Sequence, residues 1–143
     1  MAVELETYRG VVYPWHCDHV GHMNVMWYAG KFDEATWGFF AHLGMTAAFL
    51  RDNHRGMVAV DQHISYKQEL RAGDTVYITS RPIDFADRKI RFAHDMYNSA
   101  TGDLAATTEY WGVHLDTQTR RSTQLPDFVV TKLKSILELQ TQP

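Results

Sequence analysis

Residues 24–44, NVMWYAGKFDEATWGFFAHLG, carry one long amphipathic pattern. Apolar side chains recur there with spacings of four, three, four and four residues, at Tyr28, Phe32, Ala35, Phe39 and Leu43. Polar residues occupy positions away from this stripe: Lys31, Asp33, Glu34 and His42. The spacing is that of one apolar face of an α-helix. Since Asn24 is a good N-cap and Gly44 a good C-terminal stop, we predict a helix over residues 25–43.

The sequence on either side of this helix alternates as β-strands do. Residues 8–14, YRGVVYP, form one short run, which Pro14 ends because proline cannot donate to a strand ladder. Four further runs follow, separated by turns at 71–74, 86–87 and 98–103; they begin near Val58, Val76, Ile90 and Leu104. Apolar residues at helical spacing then predict a final short helix over residues 126–139. We therefore predict an α+β fold with about five antiparallel strands.

The composition is that of one globular domain, over residues 1–143, with 45% hydrophobic and 22% charged residues. A net charge of −3 gives no cationic field, so we expect neither nucleic acid nor a membrane as a partner. The most apolar stretch, FFAHLGMTAAFL, is too short to span a bilayer. Cys17 is the only cysteine and cannot form an intrachain disulfide, which favours a reducing compartment. We predict a cytoplasmic protein.

A cluster of titratable residues, WHCDHVGHMN, lies at 15–24, immediately before the long helix. If Asn24 caps the helix, its side chain takes the amide of residue 26 or 27 and leaves the Val25 amide unpaired at the positive end of the helix dipole. Asp18, six residues earlier and beyond the flexible Gly21, can bring a carboxylate near the same point. A free donor that polarises a carbonyl, next to a carboxylate that attacks or activates water, indicates acyl transfer.

Other interpretations of this cluster remain open. Asp18 can form a simple Asx turn, as most loop aspartates do. His16, His19 and His22 have ligand types suited to zinc or iron, although their spacing matches no known metal motif. Cys17 beside a carboxylate is a poor thiolate and is better read as a small packed side chain. We predict that no metal or other cofactor is needed.

Asp18-His19-Val20-Gly21-His22-Met23-Asn24, followed by Tyr28, resembles the D-x-x-G-H-x-N-x-x-x-Y pattern of hotdog-fold acyl-CoA thioesterases of the 4-hydroxybenzoyl-CoA thioesterase type. The resemblance covers roughly residues 8–130. It implies a long helix wrapped by a five-stranded antiparallel sheet, with a short C-terminal helix. It also implies subunits that pair edge to edge, as a homodimer or homotetramer, with the thioester at their interface. One helix covers only one face of a sheet, which likewise favours a second subunit.

The resemblance also implies the roles of individual residues. Asp18 becomes the catalytic carboxylate and the Val25 amide the carbonyl-polarising donor, while His22 and Asn24 line the substrate site. Cys17 and Val25 depart from residues that are frequent in the family, Thr and Asn, which leaves the acyl preference open.

Two further groups of residues are candidates for substrate contacts. Trp27 and Tyr28 lie near the helix start and can line an acyl pocket, including an aromatic cage for a cationic acyl group. The phosphates of coenzyme A need basic partners, for which we predict Arg88, Lys89 and Arg91, with Arg120-Arg121 as the competing pair.

The sequence therefore predicts hydrolysis of an acyl-CoA thioester to a free acid and CoA. Three alternatives stay open: a non-hydrolytic acyl-CoA binding protein, a metal-dependent hydrolase that uses the three histidines, and a hydratase on the same fold.

Overall fold

The computed structural model describes residues 4–141, so the outermost residues of the predicted 1–143 domain, 1–3 and 142–143, lie outside the described part. Its helices are α1 Val25–His42, α2 Ala47–Asp52 and α3 Asp127–Thr141, with a 3-10 helix at Pro14–His16. Its strands are β1 Leu5–Val11, β2 Arg55–Tyr66, β3 Thr75–Phe85, β4 Lys89–Asn98, β5 Leu104–Asp116 and β6 Arg121–Ser122. The sequence did not predict the short elements α2 and β6.

The strands form one antiparallel sheet in the order β1-β3-β4-β5-β2, and the two-residue β6 pairs with β5. This sheet curls around α1, as the hotdog prediction requires. The first strand begins and ends three residues earlier than predicted, because the residues around Pro14 form a 3-10 turn. The C-terminal helix α3 buries Val129, Leu133 and Ile136 and packs against β3.

Both ends of α1 lie close to their predicted positions. The side chain of Asn24 accepts a hydrogen bond from the Met26 amide at 2.9 Å, which makes Asn24 the N-cap. At the other end the amide of Gly44 donates to Ala41 O and that of Met45 donates to Phe40 O. Gly44 has φ +97°, a conformation that glycine adopts without strain, and these two bonds form a Schellman motif.

The predicted apolar stripe of α1 forms the centre of the core. Tyr28, Phe32, Ala35, Phe39 and Leu43 are each at most 3% exposed. They pack against the inner faces of the strands, which include Ile90, Phe92 and Met96 of β4.

The alternation in β2 gives a buried face only at the strand's two ends, where Met57 is buried and Ile64 packs against the core. Val58 and Val60 are 41% and 61% exposed, and residues 58–63 are all exposed. The strand β2 is the last of the sheet, with one edge hydrogen-bonded within the described chain, and its register shifts between Ala59 and Asp61, which interrupts the alternation.

The strand β2 also runs antiparallel to α1. Its end lies at the N-terminus of the helix, where the rings of Tyr66 and Tyr28 are 5.1 Å apart. Its beginning lies near the helix C-terminus, where Met57 and Phe40 both approach Gly112 of β5. The N-terminus of α1 therefore packs near the end of β2, and its C-terminus near the beginning of β2.

Candidate active site

The loop before α1 folds back on itself and brings Asp18 to the helix start. Cys17 and Met23 form an isolated antiparallel bridge, and the Asp18 amide donates to His22 O at 3.2 Å. Gly21 closes the turn with φ +100°, where a residue with a Cβ is strained. The motif predicted from sequence thus forms a compact loop held by local hydrogen bonds.

The Asp18 carboxylate accepts two hydrogen bonds within this loop. Oδ2 accepts from Asn24 Nδ2 at 2.7 Å, and Oδ1 accepts from the Val20 amide at 2.9 Å. The bond from the Val20 amide is the Asx turn that the sequence analysis kept as an alternative. Asp18 therefore forms this turn and also binds the N-cap residue Asn24. The bond from Asn24, and then the one from Val20, hold the pKa of Asp18 below its usual value. Asp18 is therefore a carboxylate at neutral pH.

The first turn of α1 leaves one backbone donor free. Asn24 Oδ1 accepts from the Met26 amide, and Asn24 O accepts from the Trp27 amide. Among residues 4–141, no acceptor binds the Val25 amide, and the Val25 residue is 56% exposed. A donor at the positive end of an 18-residue helix can stabilise negative charge on an oxygen atom.

A mostly apolar cleft of about 220 Å³, which we call the helix-end cleft, opens beside this donor. It is lined by His22, Met23, Val25, Tyr28, Tyr66, Lys67, Gln68 and Glu69. Tyr28 donates to Gln68 O at 3.1 Å, and burial raises the pKa of Tyr28 to about 12, so its hydroxyl stays protonated. His22 Nδ1 donates to Met23 O at 3.2 Å, and its Nε2 is 3.9 Å from Glu69.

A second cleft, of about 530 Å³, lies between β1, the 3-10 helix and another face of α1, and we call it the Lys31 cleft. It is lined by Tyr8, Gly10, Val11, Tyr13, Trp15, His16, Trp27, Gly30, Lys31 and Glu34. The structure therefore separates Trp27 from Tyr28, which the sequence analysis grouped in one pocket. Lys31, which the helical pattern places away from the apolar stripe, is nevertheless only 3% exposed. The strand β1 covers it, which the helical pattern by itself does not reveal.

The three histidines of the metal hypothesis point to different places. His16 is buried in the Lys31 cleft, His22 lines the helix-end cleft, and His19 is exposed. Within residues 4–141 no group of three His, Cys, Asp or Glu side chains converges well enough to hold a metal ion. Cys17 is half-buried and packs against the core, as a small apolar side chain does.

The predicted CoA-binding residues lie near the opposite end of α1. Arg88 directly precedes β4, and Lys89 and Arg91 lie among its first residues; in the same strand Phe92 packs on Phe40 with ring centroids 5.3 Å apart. Each makes contacts within the chain: Arg88 donates to Ser122, Lys89 lies over the Trp111 ring, and Arg91 donates to Glu109. The competing pair, Arg120-Arg121, lies at the turn into β6 in the same half of the molecule.

Sequence reasoning missed the cleft residues at the end of β2, namely Tyr66 and the residues 67–69 that follow it. The only local sign was a polar run, Lys67-Gln68-Glu69, directly after a predicted strand. Their approach to α1 depends on the bond from the Met23 amide to Leu70 O, 47 residues away in sequence.

A curled antiparallel sheet around a long helix, with a carboxylate at the helix start, defines a hotdog-fold protein of the thioesterase class. The chain belongs to the thioesterase-like superfamily, whose family model matches residues 12–133. It is 26% identical over 125 residues to an L-carnitine dehydrogenase/betainyl-CoA thioesterase of Rhizobium sp., covering 87% of this chain and 25% of that protein. A protein of the same name from Rhizobium meliloti (strain 1021) is 28% identical over 121 residues, covering 85% and 24%. The chain thus spans about a quarter of the length of these curated relatives.

Solved structures agree with the fold. A Staphylococcus aureus protein in complex with CoA superposes with a TM-score of 0.88 at 20% identity, covering all of this chain and 90% of that one. A 1,4-dihydroxy-2-naphthoyl-CoA thioesterase from Synechocystis gives a TM-score of 0.78 at 14% identity, covering 90% and 95%. None of the helices formed by residues 4–141 has the length and apolar character to cross a membrane.

Proposed function

We propose that this chain hydrolyses an acyl-CoA thioester to the free acid and CoA, with Asp18 and the Val25 amide as the catalytic groups. The observation that carries the proposal is the pairing of an ionised carboxylate with an unpaired helix-terminal amide through one residue, Asn24. The names of the relatives support the same reaction class.

The proposed chemistry needs two groups. As a general base, the Asp18 carboxylate takes a proton from water, and the oxygen attacks the thioester carbon. The Val25 amide donates to the resulting oxyanion, and collapse of the tetrahedral intermediate breaks the C–S bond and releases the CoA thiolate, which is then protonated. Direct attack by Asp18, with an anhydride intermediate that water then hydrolyses, uses the same atoms.

The helix-end cleft is the proposed acyl site. Its volume of about 220 Å³ favours a short acyl chain or a single ring over a long fatty acyl group. His22 and Tyr28 form its walls, while Asp18 and the Asn24 that positions it lie outside its lining, next to Val25. Trp27, on the other side of the helix, has no contact with this cleft and remains a predicted substrate residue only if the substrate extends around the helix start.

We infer a homodimer formed through the exposed edge of β2. Unpaired strand edges that carry apolar residues such as Val58 and Val60 are normally covered. In an antiparallel pairing of two copies of β2, the beginning of one strand faces the end of the other. The second subunit's Arg88, Lys89 and Arg91 then approach this subunit's helix-end cleft, which gives the predicted CoA patch a route to the site.

Light scattering at micromolar concentration tests this assembly. We expect a dimer or a tetramer for the wild type and a monomer for a Val60→Lys variant. An active wild-type monomer contradicts the shared site.

The single cysteine further supports a reducing compartment, and we infer a cytoplasmic location.

The reaction is tested by thiol release from a panel of acyl-CoAs: acetyl, butyryl, betainyl, benzoyl and palmitoyl. We expect thiol release with a short or one-ring acyl group, and we expect this activity to remain after dialysis against EDTA. Binding of these esters without thiol release supports the non-hydrolytic alternative. Activity that is lost in EDTA and restored by zinc or iron supports the metal-dependent one, and hydration of an enoyl-CoA supports the hydratase.

A further inference from the structure

The Lys31 cleft contains a buried cation that lacks a counter-ion. Lys31 Nζ donates to the Tyr8 hydroxyl at 2.9 Å and to Val11 O at 3.3 Å, and the ammonium has a third N–H. Among residues 4–141, no carboxylate forms an ion pair with Lys31. An ammonium removed from water is costly unless an anion faces it. The cleft therefore offers a place for a negatively charged group.

The arrangement around Lys31 is built by specific residues. At Gly10, a Cβ would lie 2.3 Å from the Tyr8 hydroxyl, so the glycine makes room for Tyr8 to reach Lys31. His16 Nδ1 accepts from the Tyr13 amide at 3.0 Å, which puts the imidazole hydrogen on Nε2. Burial and the nearby Lys31 lower the pKa of His16, so the ring is neutral and Nε2 is a second donor.

The other walls of the cleft suit a positive charge. The rings of His16 and Trp27 are 4.2 Å apart, and those of Tyr13 and Trp15 stack at 4.5 Å. Aromatic faces attract alkylated ammonium groups. Glu34, one helical turn after Lys31, adds a carboxylate to the same cleft without pairing with Lys31.

We propose that the Lys31 cleft binds a small zwitterion, with its carboxylate on Lys31 and His16 and its alkylated ammonium against the aromatic walls and Glu34. An anion without a cationic end faces repulsion from Glu34, and a cation without a carboxylate faces repulsion from Lys31. Only a ligand that carries a negative and a positive charge matches Lys31 and Glu34 together. This binding requires no thioester, so it stands or fails separately from the proposed hydrolysis.

Tryptophan fluorescence and calorimetry test the proposal, because Trp15 and Trp27 line the cleft. The probes are trimethylglycine and its longer homologue, 4-(trimethylammonio)butyrate. The controls are 3,3-dimethylbutyrate, which replaces the nitrogen of trimethylglycine by carbon, and tetramethylammonium. We expect at least one zwitterion to bind tenfold or more tightly than both controls. Absence of zwitterion binding, or equal binding of 3,3-dimethylbutyrate, overturns the proposal.

Variants locate the bound ligand. We expect Lys31→Met to abolish zwitterion binding. We expect Glu34→Gln to weaken zwitterion binding about tenfold and to strengthen the weak binding of 3,3-dimethylbutyrate, because the repelling carboxylate is removed. Lys134→Met and Glu138→Gln, both exposed on α3, are the matched controls. Since Lys31→Met can disturb the fold, Tyr8→Phe provides a milder variant that removes only the hydroxyl on Lys31. Zwitterion binding that is unchanged in both Glu34→Gln and Tyr8→Phe places the ligand elsewhere and contradicts the proposal.

Discussion

The helix-end cleft and the Lys31 cleft lie on two sides of the first three turns of α1. Asp18 does not line the helix-end cleft but binds Asn24, next to Val25 of that cleft, whereas Lys31 lines the second cleft, and the two charges are held in opposite ways. Asp18 is a partly exposed carboxylate, kept ionised by two hydrogen bonds from its own loop. Lys31 is a buried ammonium, held by β1. A group that must meet water and a reacting carbonyl needs access, whereas a group that fixes a ligand gains strength from burial. The first cleft suits a reaction and the second suits binding.

The sharpest test of this contrast is Asp18→Asn. We expect turnover of acyl-CoA to fall by about 10² or more, because the base or nucleophile is lost, while the single amide oxygen keeps one of the two hydrogen bonds that the carboxylate accepts. Zwitterion binding in the Lys31 cleft should not change. Asp52→Asn, on the exposed surface of α2, is the control and should keep full thiol release. Near wild-type hydrolysis by Asp18→Asn would show that this carboxylate is not the catalytic group.

A buried histidine, His94, makes the stability of the folded protein depend on pH and so limits the pH range in which the two clefts can be compared. His94 is fully buried between Thr36 and Ser80, and burial lowers its pKa to about 3. The pKa of a histidine in the unfolded chain is about 6.5. Below that pH the unfolded chain binds a proton that the folded chain does not, so the free energy of unfolding decreases as the pH is lowered. The loss is about 1.4 kcal/mol per pH unit, or about 2 kcal/mol at pH 5.

Urea unfolding at pH 7 and pH 5 measures this loss. His94→Gln should flatten the dependence. Asp18, whose pKa lies below its usual value, stays ionised at pH 5. Activity lost between pH 6.5 and 5 should therefore follow unfolding. If activity falls while the protein remains folded, a group other than Asp18 controls the reaction in this range.

Asn24→Ser separates helix capping from the positioning of Asp18. Serine keeps an oxygen for the Met26 amide, but its side chain is one atom shorter and has no group in the position of Asn24 Nδ2, so the 2.7 Å bond to Asp18 is lost. Since serine is as good an N-cap as asparagine, stability should change by a few tenths of a kcal/mol. We expect kcat to fall about tenfold and the acid limb of kcat/KM to move to higher pH, because the first cause of the low pKa of Asp18 is removed. An unshifted acid limb, with stability retained, argues against this role of Asn24.

The smallest expected effect concerns the basic residues far from both clefts. Changing Arg88 and Lys89 together to Ala should raise KM for acyl-CoA several-fold and leave turnover of a thioester without the nucleotide unchanged. A mixed dimer joins one subunit of this double variant, which keeps Asp18, to one Asp18→Asn subunit, which keeps Arg88 and Lys89. If the basic residues act across the interface, the intact Asp18 of the first subunit is served by the intact basic residues of the second. Recovery of the wild-type KM supports action across subunits. If Arg120→Ala raises KM and the double variant does not, the nucleotide binds at Arg120.

The local features of the candidate site were predictable because they depend on residues close in sequence. The Asn24 cap, the Gly44 stop and the contact between Asp18 and Asn24 all join residues at most six apart. The periodic patterns likewise predicted α1 and the main strands, since each buries a face set by its own spacing. The assignment of the thioesterase fold rested on the same short motif.

Only the tertiary structure decided what surrounds these features. The burial of Lys31 follows from β1, which pairs with β3 more than 60 residues away and covers one side of α1. The split between Trp27 and Tyr28 arises because adjacent helical residues point about 100° apart, toward different neighbours. The exposure of β2 depends on its place at the end of the sheet order, and the helix-end cleft needs residues 66–69 to return to the helix start. Such contacts join distant parts of the chain, and no local pattern encodes them.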